Sequence, residues 1–138
     1  MKKLLPIILV LLVGCASTPS NVGQKLPPGK YVSASVGVHN TVTLKHIILI
    51  YATKKNGNTI TAEGKIIFRT EKLPNYAYFD RVKVNAHLAD ENHTIVREVS
   101  FNAARNLTDF EPVPFKVEFP YDKRYRYVAF SYRVYYRY

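Results

Sequence analysis

Four histidines are the first residues to question, because imidazole is both the commonest metal ligand and the usual general base. Three polar residues fall at even spacing, His87, Asp90 and His93, on either side of a turn. That spacing matches none of the tetrahedral zinc patterns. With Leu88 paired to His93, His87 falls opposite Thr94 and its ring points away from His93, so the three read as polar residues near a hairpin end. A serine hydrolase needs its nucleophile beside a base. The chain has no Gly-x-Ser-x-Gly elbow, and its serines lie in an N-terminal tether or on alternating stretches. Glu111, Glu118 and Asp122 are the nearest thing to a glycosidase pair, and they read as exposed strand and turn carboxylates. No glycine loop of the phosphate-binding kind is present. None of the roles of an active site is filled. The expectation is a non-enzymatic protein with no catalytic residue, no cofactor and no metal.

The remaining reactive side chain is the only cysteine, Cys15. Before it come Met1-Lys2-Lys3, a positive start, and then an apolar run from Leu4 to Val13 broken only by Pro6. A spanning helix takes about 20 apolar residues, so this run has the length of a signal h-region. Leu12-Val13-Gly14-Cys15 closes it and resembles the lipobox of bacterial lipoproteins. The resemblance implies a signal peptide over 1–14, cleavage after Gly14, and Cys15 as the lipidated, palmitate-bearing first residue. It also implies a membrane anchor through that lipid. As in enterobacterial lipoproteins, the resemblance implies that Ala16 and Ser17, with no Asp after the cysteine, favour the outer membrane, and a periplasm-facing domain is the expectation. A single cysteine allows no internal disulfide.

The charge narrows the partners. The chain has 20 Lys+Arg and 10 Asp+Glu, and losing Lys2 and Lys3 leaves 18 against 10, about +8. Such an excess suits anionic partners: lipopolysaccharide phosphates, acidic lipid head groups or an acidic protein surface. Export removes most nucleic-acid targets, so no nucleic acid is expected. Lysozymes, themselves basic, would be repelled. Eleven Tyr and seven Phe with no Trp favour strands over helices.

Residues 15–30 are rich in Ser, Thr, Pro and Gly and read as the acylated cysteine with a flexible tether. From 31 to 138 the pattern is strand after strand. Tyr31 to Val38 alternates, with Val32, Ala34, Val36 and Val38 on one face. Thr43 to Thr53 and Thr59 to Thr70 flank Asn56-Gly57, the preferred pair for a tight I′ hairpin with positive φ at both residues. Lys55 then pairs with Asn58, and Ile47, Leu49, Tyr51, Ile60, Ala62, Ile66 and Phe68 share a core face. A second hairpin turns at Asp90-Glu91-Asn92, with Lys83 opposite Glu98; Arg97 fits its inward face badly. Residues 102–110 carry a weak helical look. Phe115 to Phe119 lies between Pro112, Pro114 and Pro120, as an edge or near-edge strand does. The last strand runs from Arg124 to Tyr138.

About seven strands with turn signals at regular intervals predict an all-β fold, an antiparallel β-sandwich, with a small closed β-barrel as the alternative. Val82 to Asp90, and Phe115 to Phe119 before a long final strand, resemble the immunoglobulin-like modules of bacterial envelope proteins. The resemblance implies an immunoglobulin-like sandwich and nothing about activity.

Two surfaces could bind. Leu44, Ile48, Ile50 and Ile67 fall on the outward face of the first hairpin, where another element of the domain is expected to cover them. Left uncovered, they would be a partner surface. In the last strand, Val128, Phe130, Tyr132 and Val134 face inward. Tyr127, Arg133, Tyr135 and Arg137 face out, as a ladder that either binds anions or pairs with neighbouring strands. The leading expectation is a lipoprotein that docks an envelope protein partner in an accessory, pilotin-like role. The alternative is binding of an anionic envelope polymer or lipid such as lipopolysaccharide.

Overall fold

The computed structural model describes residues 20–69, 78–104 and 112–137, with backbone alone for 78–80, 104, 136 and 137. The signal segment 1–14, Cys15 and residues 16–19 lie outside the described residues. Eight strands follow one another: β1 Val32–Ser33, β2 His39–Thr43, β3 Ile47–Asn56, β4 Thr59–Phe68, β5 Tyr78–Ala89, β6 Ile95–Ala104, β7 Val113–Pro120 and β8 Tyr127–Arg137. They form two four-stranded antiparallel sheets, β1-β8-β5-β6 and β2-β3-β4-β7. The expected β-sandwich is the fold, with eight strands rather than about seven, and it does not close into a barrel. No helix occurs among the described residues.

The chain crosses between the layers after β4, returns with β7 to pair with β4, and crosses back with β8 to pair with β5. Alternation then sends every second side chain into the space between the sheets. One core cluster gathers Ile47, Leu49, Tyr51, Ile66, Phe68, Val82 and Val84. Another gathers Ile60, Leu88, Val99, Tyr125 and Val128. β7 lies at a sheet edge, where its Pro114 and Pro120 need no ladder partner on one side. The crossover into β8 is held by the Tyr125 hydroxyl, which donates to the Pro120 carbonyl at 3.0 Å. Asp122 accepts from the Arg124 guanidinium at 2.7 Å in the same turn, and that bond pulls its carboxyl down to about 2.

Several local expectations are corrected. The stretch Tyr31 to Val38 is not one strand: after Ser33 the chain turns through Gly37 (φ 85°), leaving Val36 and Val38 exposed. Leu44 lies in the turn between β2 and β3 and packs inward against the core instead of on the outward face. In the tight hairpin, Asn56 pairs with Thr59, so the central residues are Gly57 and Asn58. Gly57 alone has positive φ, 59°. Glycine in the first central position is the requirement of a II′ turn, which has the same length as I′ and matches the strand twist equally well. The slip moves each partner by two residues, so the expected core face survives whole. Asn102 to Ala104 continue β6, and the rest of 102–110 lies outside the described residues.

The second hairpin differs more. Leu88 pairs with Arg97, and Lys83 with Asn102. Asp90 explains the shift, because its carboxylate accepts the Asn92 and Thr94 amides at 2.9 and 3.0 Å. His93 follows in the left-handed region (φ 63°). This Asx-type loop is longer than the turn the spacing suggested.

Candidate functional site

The outer face of β1-β8-β5-β6 is built from three adjacent strands, and their register lays it out in rows. Glu98, His87 and Ala129 form the first row; Ser100, Asn85 and Ser131 the second. Asn102, Lys83 and Arg133 form the third, and Arg81 faces Tyr135 in the fourth.

The first two rows hold a Ser-His-carboxylate trio that the sequence reading missed. His87 Nε2 is 2.9 Å from Ser131 Oγ, and His87 Nδ1 is 2.8 Å from Glu98 Oε2. These are the separations of a hydrolytic triad, but the alignment is not. The Nδ1–carboxylate pair lacks hydrogen-bond geometry. Glu98 is also committed elsewhere: it accepts the Ser20 hydroxyl at 3.1 Å and the Asn21 backbone amide. Ser131 sits mid-strand, not on an elbow. The trio ties β8, β5, β6 and the N-terminal segment together. The signal that would have exposed it is Asp90, because the Asx loop sets the register that puts His87 opposite Glu98.

The N-terminal segment is the second surprise. Ser20 to Lys30, expected as flexible tether, is docked. Backbone bonds join Gly23 to Ile95, Leu26 to His93 and Ile95 to Gln24, each at 2.8 Å. Leu26 is buried with Ala89, Ile95 and Ala129. The Lys25 ammonium caps the Asn92 carbonyl at 2.8 Å. Burial alone would raise the Glu98 carboxyl, but the Asn21 amide, the Ser20 hydroxyl and His87 together hold it below its ordinary value. The docking has a hydrophobic reason, since Leu26 has an apolar floor of two alanines to bury against.

This segment decides which predicted residues are available. Tyr127 is not: it is half-buried, stacked on His93 at 4.4 Å and edge-on to Tyr31 at 4.9 Å. Arg133 and Tyr135 lie beyond the docked segment on the open half. Only the backbone of Arg137 is described, pairing with Tyr78. On the inner side of β8, Val128 is buried, while Phe130, Tyr132 and Val134 pack on the core.

The open half is cationic. The Arg81 guanidinium lies 4.2 Å from the Tyr135 ring centroid, and that of Arg133 lies 5.5 Å from the same ring. Lys83 and Arg133 are direct cross-strand neighbours. Like charges directly opposite destabilise a sheet, yet among the described residues neither has an ion-pair partner.

On the other sheet, Ile48 pairs with Ile67 and Ile50 with Lys65, all on the outer face. The three isoleucines are half-buried, and none belongs to a core cluster. The expected covering element is absent among the described residues. Between the sheets runs an apolar cavity of about 50 Å³ lined by Tyr51, Phe101, Phe115 and Phe130. The Tyr51 hydroxyl is buried without a hydrogen-bond partner among the described residues, and burial pushes its pKa up to about 12.

No known protein family matches the chain, and no curated protein or solved structure shows a detectable likeness to it.

Proposed function

We propose that the chain is a lipid-anchored docking module without catalytic activity, holding an envelope partner on the outer face of β1-β8-β5-β6. The observation that carries this reading is the juxtaposition of Lys83 and Arg133 beside Arg81 and Tyr135, a set of cations with no carboxylate paired to it among the described residues. A partner that supplies negative charge relieves the repulsion and gains bidentate contacts from arginine. An acidic protein surface fits best, because the face is a strip of four rows laid across adjacent strands rather than a pocket. The lipid at Cys15 belongs to the same proposal and rests on the Leu12 to Cys15 motif. The half-buried isoleucines of the other sheet are a second contact surface on the same footing.

The same cations favour a second reading, an anionic polymer or lipid such as lipopolysaccharide. Pull-down from membranes with the acylated protein separates the two. One dominant protein partner, lost in Arg133→Glu, supports docking. Retention of polymer that competes with inorganic phosphate supports the second. A Cys15→Ser protein that fractionates with membranes as the wild type does would remove the anchor from both.

A further inference from the structure

β8 is an edge strand over most of its length. It spans Tyr127–Arg137, yet β1 covers only Tyr127 and Val128, through Ser33 and Val32. Beyond them, β5 lies on one side of β8, and no described strand lies on the other. Alternate amides and carbonyls from Ala129 to Arg137 therefore face outward without a ladder partner among the described residues. Natural sheets blunt such edges with short strands, prolines or bulges. Here the edge is long, contains no proline, and carries no bulge between Arg81 and Ala89 of its β5 partner. A groove of about 560 Å³ opens beside it, walled by Val128 to Phe130, by Thr41 to Thr43 of β2 with Leu44 just after it, and by Gly29 to Val32. It is bridged where the Tyr132 hydroxyl accepts the His46 amide at 3.0 Å and meets His46 Nδ1 at 2.6 Å.

We propose that this edge receives an extended segment of another protein by strand addition, with acidic and apolar residues alternating along it. The inference rests on the docking reading above and names its partner. Backbone pairing supplies affinity, and the pleat supplies selectivity. One set of partner side chains points into the groove against Val42 and Phe130 and must be apolar. The other set lies beside Arg133, with Lys83 one strand further in, and charge complementarity makes it acidic. A second copy of this chain fits less well, because β8 against β8 would bring arginine-bearing faces together.

The test uses the full acylated chain in detergent micelles and a synthetic peptide of alternating glutamate and valine long enough to span Ala129 to Arg137. One companion peptide has lysine for glutamate, and another is N-methylated on alternate amides. In the free protein, alternate β8 amides beyond Val128 should exchange quickly with solvent; the glutamate peptide should bind and protect them. N-methylation on the pairing side should weaken binding by about tenfold or more, and Arg133→Glu should shift preference towards the lysine peptide. If those amides are already protected in the free chain, the edge is covered and the proposal falls. Binding without new protection, or undiminished by N-methylation in either register, overturns strand addition while leaving docking on the face intact. If the glutamate peptide does not bind at all, strand addition is also overturned, and the membrane pull-down decides the docking reading separately.

Discussion

Lys83 is the residue at which stability and binding should trade against each other. It faces Arg133 across the β5–β8 ladder, where facing Cβ atoms are about 5 Å apart. For charged ends about 6 Å apart in solvent of high dielectric, two unit charges repel by about 0.7 kcal/mol. Lys83→Gln removes that repulsion. Lys83→Glu replaces it with attraction of similar size, for a total of about 1.4 kcal/mol. Lys, Gln and Glu differ little in strand propensity, so charge dominates the series. For a domain of this size the glutamate variant should melt roughly 5 °C higher at low salt, with glutamine midway. Near 1 M salt the screening length falls to about 3 Å, and the three proteins should converge. Thermal unfolding by circular dichroism across a salt series is sufficient. A glutamate variant no more stable than wild type at low salt, or a gain that salt leaves untouched, would refute the reasoning. The cations would then be compensated already, and the argument for a missing anionic partner would fail.

Gly64 faces Tyr51, and a Cβ built there falls 1.9 Å from the Ile50 carbonyl oxygen and 2.7 Å from the Tyr51 Cα. Both are backbone atoms, so Gly64→Ala should destabilise by about 3 kcal/mol or more in chemical denaturation; a neutral result would mean that β3 and β4 lie further apart. Tyr51→Phe removes a buried hydroxyl that has no partner among the described residues, and stability should hold or rise by up to about 1 kcal/mol. A loss of that size would show that the hydroxyl is bonded. Leu26→Ala should destabilise the docked segment by about 2 kcal/mol, read as faster hydrogen exchange at Gly23, Leu26 and Ile95, whose amides make the docking bonds. The Glu98 carboxyl is held below its ordinary 4.5 in the folded state. Its contribution is therefore complete above that value and is lost as pH falls through the lowered folded value. Exchange at the Gly23 amide should accelerate over that acid range in the wild type and be independent of pH there, after correction for intrinsic exchange, in Glu98→Gln.

Alternation by itself determined the fold class and most of the inward residues, failing at Val36 and Val38, where the chain leaves the strand after Ser33. A strand has a side-chain period of two, so Ile47, Leu49 and Tyr51, or Val128 with Phe130, share a face in whichever register the strand pairs. That is why the core face of the first hairpin survived a turn misplaced by one residue, with partners displaced by two. The same insensitivity left register undetermined, because any even slip keeps the core and changes every neighbour. Only the folded chain, through the Asp90 loop, put His87 opposite Glu98 instead of Thr94, and Lys83 between Asn102 and Arg133. The docked segment was equally hidden. Ser, Pro and Gly around Leu26 look like tether, and one leucine carries no periodic signal. It becomes an anchor because Ala89 and Ala129, distant in sequence, leave a shallow apolar floor beside Ile95. That cluster half-buries Tyr127, while Arg133, further along β8, stays exposed. The free edge of β8 was likewise decided by topology. Local sequence specifies that a strand forms, but long-range packing determines which neighbours it acquires and where they stop, and β1 stops after two residues.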